Sequence, residues 1–303
     1  MGDVYHIYVQ PVGGDDPLSG YAFSRLWTKG QEAKPEQMRL AAAALISKDD
    51  TAGISIPILM EARNASSAGS MQTAIDLALY DAFAAAKKWE DALTVALRLS
   101  AASPMSKTAF MALAHSQMET KRWKECEQSA NDLLKALPND PDAMRVIRSV
   151  AERQADWKKA ALISKRIAAS RGAESGDLNN QAWYSLFDGS VGEEALQTAQ
   201  KASMLAQNTD SAALHTLATI QAELGNTTEA RENLLQSMQI RGMAEPDSDC
   251  WYVFARIAEQ FGEREAALNI YKRVTAPEGG EVTPSDVLNL AQKRIKILER
   301  LGK

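Results

Sequence analysis

The sequence predicts an all-α array of stacked helix pairs, and three observations carry that prediction. Trp89, Trp123 and Trp157 fall 34 residues apart. Each is followed three positions later by a small residue: Ala92, Cys126 and Ala160. Helix breakers recur in the same phase, with Pro104 and Pro138 again 34 apart and Gly172 in the third place. The strings KKWEDALTVALRLSAASP, KRWKECEQSANDLLKALP and ADWKKAALISKRIAASRG each read as a turn, an aromatic, then an amphipathic helix. Self-similarity at a fixed period marks an architecture in which each helix pair buries its apolar face against its neighbours alone.

The pattern continues with short insertions. GEEALQTAQKASMLAQ carries Ala195, Ala199 and Ala202 on the face of a second helix. LHTLATIQAELGNTTEARENLLQSM carries Leu217, Ala218, Gly225, Ala230 and Leu234. CWYVFARIAEQFGEREAALNIYKRV carries Trp251, Ala255, Gly262, Ala267 and Tyr271. The marker alanines 195, 230 and 267 step by 35 and 37. On these residues the chain resembles the tetratricopeptide repeat (TPR) family, whose unit is a helix–turn–helix of about 34 residues. The resemblance implies a right-handed α-α superhelix, a TPR solenoid of about six repeats plus a C-terminal capping helix. In family phase the repeats start near Thr73, Lys107, Pro141, Ser175, Ser211 and Ser248. The first two depart from the pattern, with Lys87 and Lys121 where glycine usually turns the chain. The small residues let helices approach closely, and we read each tryptophan as a wedge between units rather than as a ligand platform.

The ends differ. Residues 1–35 read as a strand and loop, with Val4–Val9 as the strand and Gly13–Pro17 closing it. Tyr21, Phe23, Leu26 and Trp27 form an apolar cluster that should dock somewhere. Residues 36–72 read as a degenerate helical pair, Glu36–Ile46 with Ile54–Ala65, ahead of the repeats at 73–276. Residues 277–303 are a linker and cap: Thr283-Pro284-Ser285-Asp286 starts a helix whose Val287, Leu290, Ile295 and Leu298 face back onto repeat six. Lys293, Arg294, Lys296, Glu299 and Arg300 should face water.

Composition narrows the function. The chain has 303 residues, 45% hydrophobic and 24% charged, with a net charge of −5. That balance argues against a broad nucleic-acid or anionic-lipid surface. No apolar run reaches the roughly 20 residues of a membrane span, so no membrane is expected. Two cysteines, Cys126 and Cys250, make no disulfide framework and read as buried free thiols. No signal peptide is visible at Met1; the cytoplasm is favoured, with a periplasmic or secreted location if a leader was removed. No catalytic signature is present, neither G-x-S-x-G, H-E-x-x-H nor a P-loop. The expectation is therefore a chain that is no enzyme, with no cofactor and no metal. Light self-association, monomer or weak homodimer, fits such an array.

What remains is a protein or peptide partner in the groove lined by the first helices, as the family resemblance implies. In family phase the lining residues are Met111, His115 and Met118 in repeat two; Asp142, Arg145, Ser149, Glu152 and Arg153 in repeat three; Asn179, Trp183, Leu186 and Phe187 in repeat four; His215 and Thr219 in repeat five; and Tyr252, Arg256 and Glu259 in repeat six. Of these, the candidate groove is Met111, His115, Arg145, Ser149, Arg153, Asn179, Trp183, Phe187, His215, Tyr252 and Arg256. The clamp by which some family members hold chaperone tails is not matched, because repeat five offers Ala212 and His215 where basic residues are needed. The alternative is the repeat tail of a larger multidomain enzyme or secreted protein, motivated by the strand at Val4–Val9, which alone is not stable and either pairs within this segment or belongs to an upstream domain.

Overall fold

The computed structural model describes residues 6–11, 21–28, 31–32, 52–67, 69–170, 173–277, 280 and 282–300. Among them are three strands, β1 His6–Pro11, β2 Tyr21–Thr28 and β3 Gln31–Glu32. Fourteen helices follow: α1 Ala52–Ala65, α2 Gly69–Ala85, α3 Trp89–Ala102, α4 Lys107–Glu119, α5 Trp123–Ala136, α6 Pro141–Arg153, α7 Trp157–Ala168, α8 Ser175–Asp188, α9 Glu193–Leu205, α10 Ser211–Leu224, α11 Thr227–Ile240, α12 Ser248–Gln260, α13 Arg264–Tyr271 and α14 Val287–Arg300. The helix expected over Glu36–Ile46 and the loop Gly13–Pro17 lie outside the described residues.

The helix starts follow from local chemistry. Lys107, Pro141, Ser175, Ser211 and Ser248, which open repeats in family phase, each begin a helix. Residues just before them supply the caps. Ser106 accepts from the Ala109 N–H, Asp140 from those of Asp142 and Ala143, Asp210 from Ala212 and Asp247 from Cys250. Such caps satisfy donors that the first turn would otherwise orphan. Turns between paired helices need a left-handed residue. Gly225 and Gly262 supply it at φ 85° and 78°; Lys87, Lys121 and Ala155 do so at φ 54°, 57° and 56° without being glycine. The missing glycines thus leave the turn geometry unchanged and place side chains in a conformation that costs L-residues about 1 kcal/mol each.

Two compact units result, Met1–Ala136 and Leu137–Lys303. In the first, Ile58, Leu59, Ala62, Ile75, Leu79, Ala82, Ala92, Val95 and Leu99 form the core. Ala92 and Cys126 are fully buried, as the small positions require. Trp89 is wedged against His115 of the next helix pair, ring centres 4.8 Å apart. β1 and β2 pair antiparallel, His6 opposite Trp27 and Pro11 opposite Tyr21, with an irregularity between Tyr8 and Val9. The residues read as an apolar docking cluster are therefore strand β2, and of the two expectations for the N-terminal strand, pairing within its own segment is the one observed.

In the second unit Ala160, Ala218, Ala230, Ala255 and Ala267 are fully buried. Trp157 stacks on Phe187 at 4.8 Å, bridging one helix pair to the next. α14 closes this core: Val287, Leu290, Ala291 and Leu298 pack with Tyr252, Ala255, Ala267 and Tyr271, and Ile295 is partly buried beside them. One residue expected to face water does not. Arg294 pairs with Glu259 of α12, because α14 lies against that helix as well as against α13. Cys126 and Cys250 are both free and buried.

Candidate functional site

In the second unit, α6, α8, α10 and α12 are the first helices of successive pairs, and each contributes to one cavity of about 320 Å³. Glu152 comes from α6; Asn179, Asn180 and Trp183 from α8; Ser211, Ala212, His215 and Thr216 from α10; Asp249 from α12; and Arg241 from the end of α11. Asn179 and Trp183 sit four residues apart on a helix, so they share a face. Trp183 and His215 lie 5.8 Å apart, centre to centre.

Several of these groups are occupied. Glu152 accepts hydroxyl donors on both oxygens, from Ser285 at 2.5 Å and Tyr184 at 2.7 Å. Trp183 Nε1–H donates to the Ser285 carbonyl at 3.2 Å. Ser285 is 133 positions from Glu152 in sequence, so the segment before α14 folds back onto this face. Arg241 donates to Asp247 at 2.7 Å and to Cys250 Sγ at 3.0 Å. Others are not occupied. His215 is 9% exposed and its Nε2 has no hydrogen-bond partner, nor has the buried Oδ1 of Asn179. Asp249 stays open to solvent yet crowded enough that desolvation, with Asp247 and Asp286 adding repulsion, lifts its carboxyl above the usual range against the pull of His215 and Arg241.

The structure brings Asn179, Trp183 and His215 together and distributes the other candidates. Met111 is exposed on α4, in the first unit; His115, also there, meets the Tyr80 hydroxyl through Nδ1 at 3.2 Å. Arg145 is spent on an ion-pair cluster with Asp142, Glu174 and Asp177. Asp177, 3% exposed, also accepts from Arg148 and from the Glu174 backbone N–H. Burial would raise the Asp177 carboxyl, but the two guanidinium donors and the N–H prevail and bring it down to about 2. Ser149 is half-buried and Arg153 exposed on α6. Phe187 is packed beneath Trp157. Tyr252 is buried and donates to Glu223 at 2.6 Å, while Arg256 pairs with Glu223 and Glu259. Both belong to the core and ion pairs beneath α14.

The candidate groove read from the sequence did not include Asn180, Ser211, Thr216, Arg241 or Asp249. Asp249 could have been found: it is the second residue of repeat six, a lining position in family phase. Arg241 had no such signal, since it follows a second helix. Among the described residues, other cavities include one of about 360 Å³ between Met60, Arg63, Phe83 and Arg98 and one of about 220 Å³ beside Leu162, Lys165 and Glu194. Among the described residues no helix is long and apolar enough to cross a membrane, and no group of three His, Cys, Asp or Glu could hold a metal ion.

No family model matches the sequence, and no curated protein matches it. Solved structures do resemble it. A tetratricopeptide repeat protein from Parabacteroides merdae is similar with TM-score 0.62 at 14% identity, over 88% of this chain and 98% of that one. PilF of Pseudomonas aeruginosa is similar with TM-score 0.53 at 16% identity, over 71% of this chain and 91% of that one. A chain of the APC/C hetero-tetramer Cut9-Hcn1 is similar with TM-score 0.52 at 9% identity, over 88% of this chain and 53% of that one. The fold is thus that of the tetratricopeptide repeat proteins, all-α helical hairpins stacked in series.

Proposed function

We propose that this chain is a non-enzymatic scaffold that binds a segment of a protein partner on the first-helix face of its second unit. The observation that carries the reading is the cavity where Asn179, Trp183 and His215, from successive first helices, present an aromatic wall beside buried atoms with unspent hydrogen-bonding capacity. Buried polar atoms are normally satisfied, so a face that leaves two of them open is suited to a ligand that supplies the partner. Aromatic anchors in a pocket are also where binding energy concentrates.

Selection of displayed peptides on the intact chain tests this. Peptides enriched on the wild type should lose affinity on Asn179→Ala and on Trp183→Ala, the latter by about 30-fold, a typical cost for an aromatic hot spot. Unchanged affinity on both, with thermal melts showing folded protein, would overturn the assignment. The alternative reading, a repeat tail of a larger protein, rested on the N-terminal strand belonging to an upstream domain. Its pairing with β2 removes that support.

A further inference from the structure

The cavity's chemistry specifies the charge of its occupant. Two carboxylates line it, Glu152 and Asp249. Glu152 is held by the neutral hydroxyls of Tyr184 and Ser285, and the carboxyl of Asp249 stays raised by desolvation, Asp247 and Asp286 despite the pull of His215 and Arg241. The one guanidinium in the wall, Arg241, is already bound to Asp247. Two residues that line the same cavity carry buried polar atoms without partners, His215 Nε2 and Asn179 Oδ1. A neutral imidazole protonated at Nδ1 offers Nε2 as an acceptor, and an amide oxygen accepts as well. The ring of Trp183 forms the remaining wall, a surface that attracts cations.

We infer that this cavity is a subsite for a positively charged hydrogen-bond donor, an ammonium or guanidinium group such as a lysine or arginine side chain presents. The inference rests on the partner-binding reading of this face and deepens it. A cation placed here would donate to His215 Nε2 and Asn179 Oδ1 and compensate Asp249 and Glu152, while Trp183 covers its apolar stem. A cavity of about 320 Å³ accommodates one such side chain and not a folded element. An anion would meet two carboxylates, and an aliphatic chain would leave both buried acceptors unsatisfied. The same chemistry could be brought by a peptide or by a free amine, and the two are separable by experiment.

The chain has three histidines, so selective ¹³C-histidine labelling gives a spectrum in which His215 can be followed alone. The probes are blocked pentapeptides, acetyl-Gly-Gly-X-Gly-Gly-amide with X as lysine, arginine, norleucine, Nε-acetyl-lysine or glutamate, and n-butylamine as the free amine. The lysine or arginine peptide should shift the His215 resonance saturably and leave His115 in place. Added salt should weaken the effect, and Asp249→Asn should reduce affinity about tenfold. Norleucine, acetyl-lysine and glutamate peptides should produce no saturable shift. If n-butylamine binds as tightly as the lysine peptide, the occupant is a free amine; if the peptide is tighter, it is a partner's side chain. Equal response to norleucine or glutamate, or none to any cation, overturns the inference. Displayed peptides that bind this face with no basic residue would sink the cation subsite and leave the scaffold intact. A His215 shift with amines and no peptide selected at all would do the reverse.

Discussion

Asp177 shows how single residues hold a repeat together. It is a buried carboxylate clasped by Arg145 and Arg148 of the preceding first helix, and Asp76 of α2 is likewise buried between two arginines, Arg63 of α1 and Arg98 of α3. Removing the acid takes the ion-pair partner from the buried Arg148 and leaves Arg145 with Asp142 and Glu174, so Asp177→Asn should destabilise the second unit by about 3 kcal/mol in urea titrations. The pH dependence has a definite sign. The folded Asp177 carboxyl is lowered to about 2 against roughly 3.9 in an unfolded chain. Its contribution is present in full above about pH 4 and is lost as pH falls towards 2. Asp177→Asn should therefore flatten the acid limb of the stability profile; an unchanged limb would remove this residue from the account. A second residue-scale prediction concerns Ala155, held at φ 56°. Ala155→Gly relieves the left-handed cost at the expense of a freer unfolded chain, and the net should be a gain of about 0.5 kcal/mol, read as a higher urea midpoint.

At the scale of elements, α14 is the one that changes the character of the face it covers. It buries Val287, Leu290 and Leu298 with the aromatics of α12 and α13, and the segment before it brings Ser285 to Glu152 and Trp183. Leu290→Ala should cost about 2–4 kcal/mol, the usual price of a core leucine, in chemical denaturation of the full chain. A loss below 0.5 kcal/mol would mean that α14 is not part of that core. The repeat itself was legible because its markers are local and periodic: a tryptophan, a small residue and a breaker at one spacing. The role of α14 was not. That Tyr252 and Arg256 would lie beneath it, and that Arg294 would reach Glu259, depends on contacts with no local signature. Asn179, Trp183 and His215 were legible from their place in each repeat. Asp249 held such a place and was missed, while Arg241 held none.

At the scale of the molecule, the chain divides into two compact units, and each carries one buried free thiol: Cys126 in the first, Cys250 in the second. Burial pushes both thiols up to about 12, with Glu127 adding to the effect at Cys126 and Asp247 at Cys250. Neither should react with thiol reagents at pH 8 until its unit opens. Because each unit has its own core, Leu290→Ala should accelerate labelling of Cys250 far more than that of Cys126; equal acceleration would show that the two open together. If a partner segment lies on the first-helix face of the second unit, hydrogen exchange of the intact chain with a selected peptide reads that location directly. Bound peptide should slow exchange in α8 and α10, residues 175–188 and 211–224. Protection confined to the second helices α7, α9 and α11, with α8 and α10 unchanged, would contradict it.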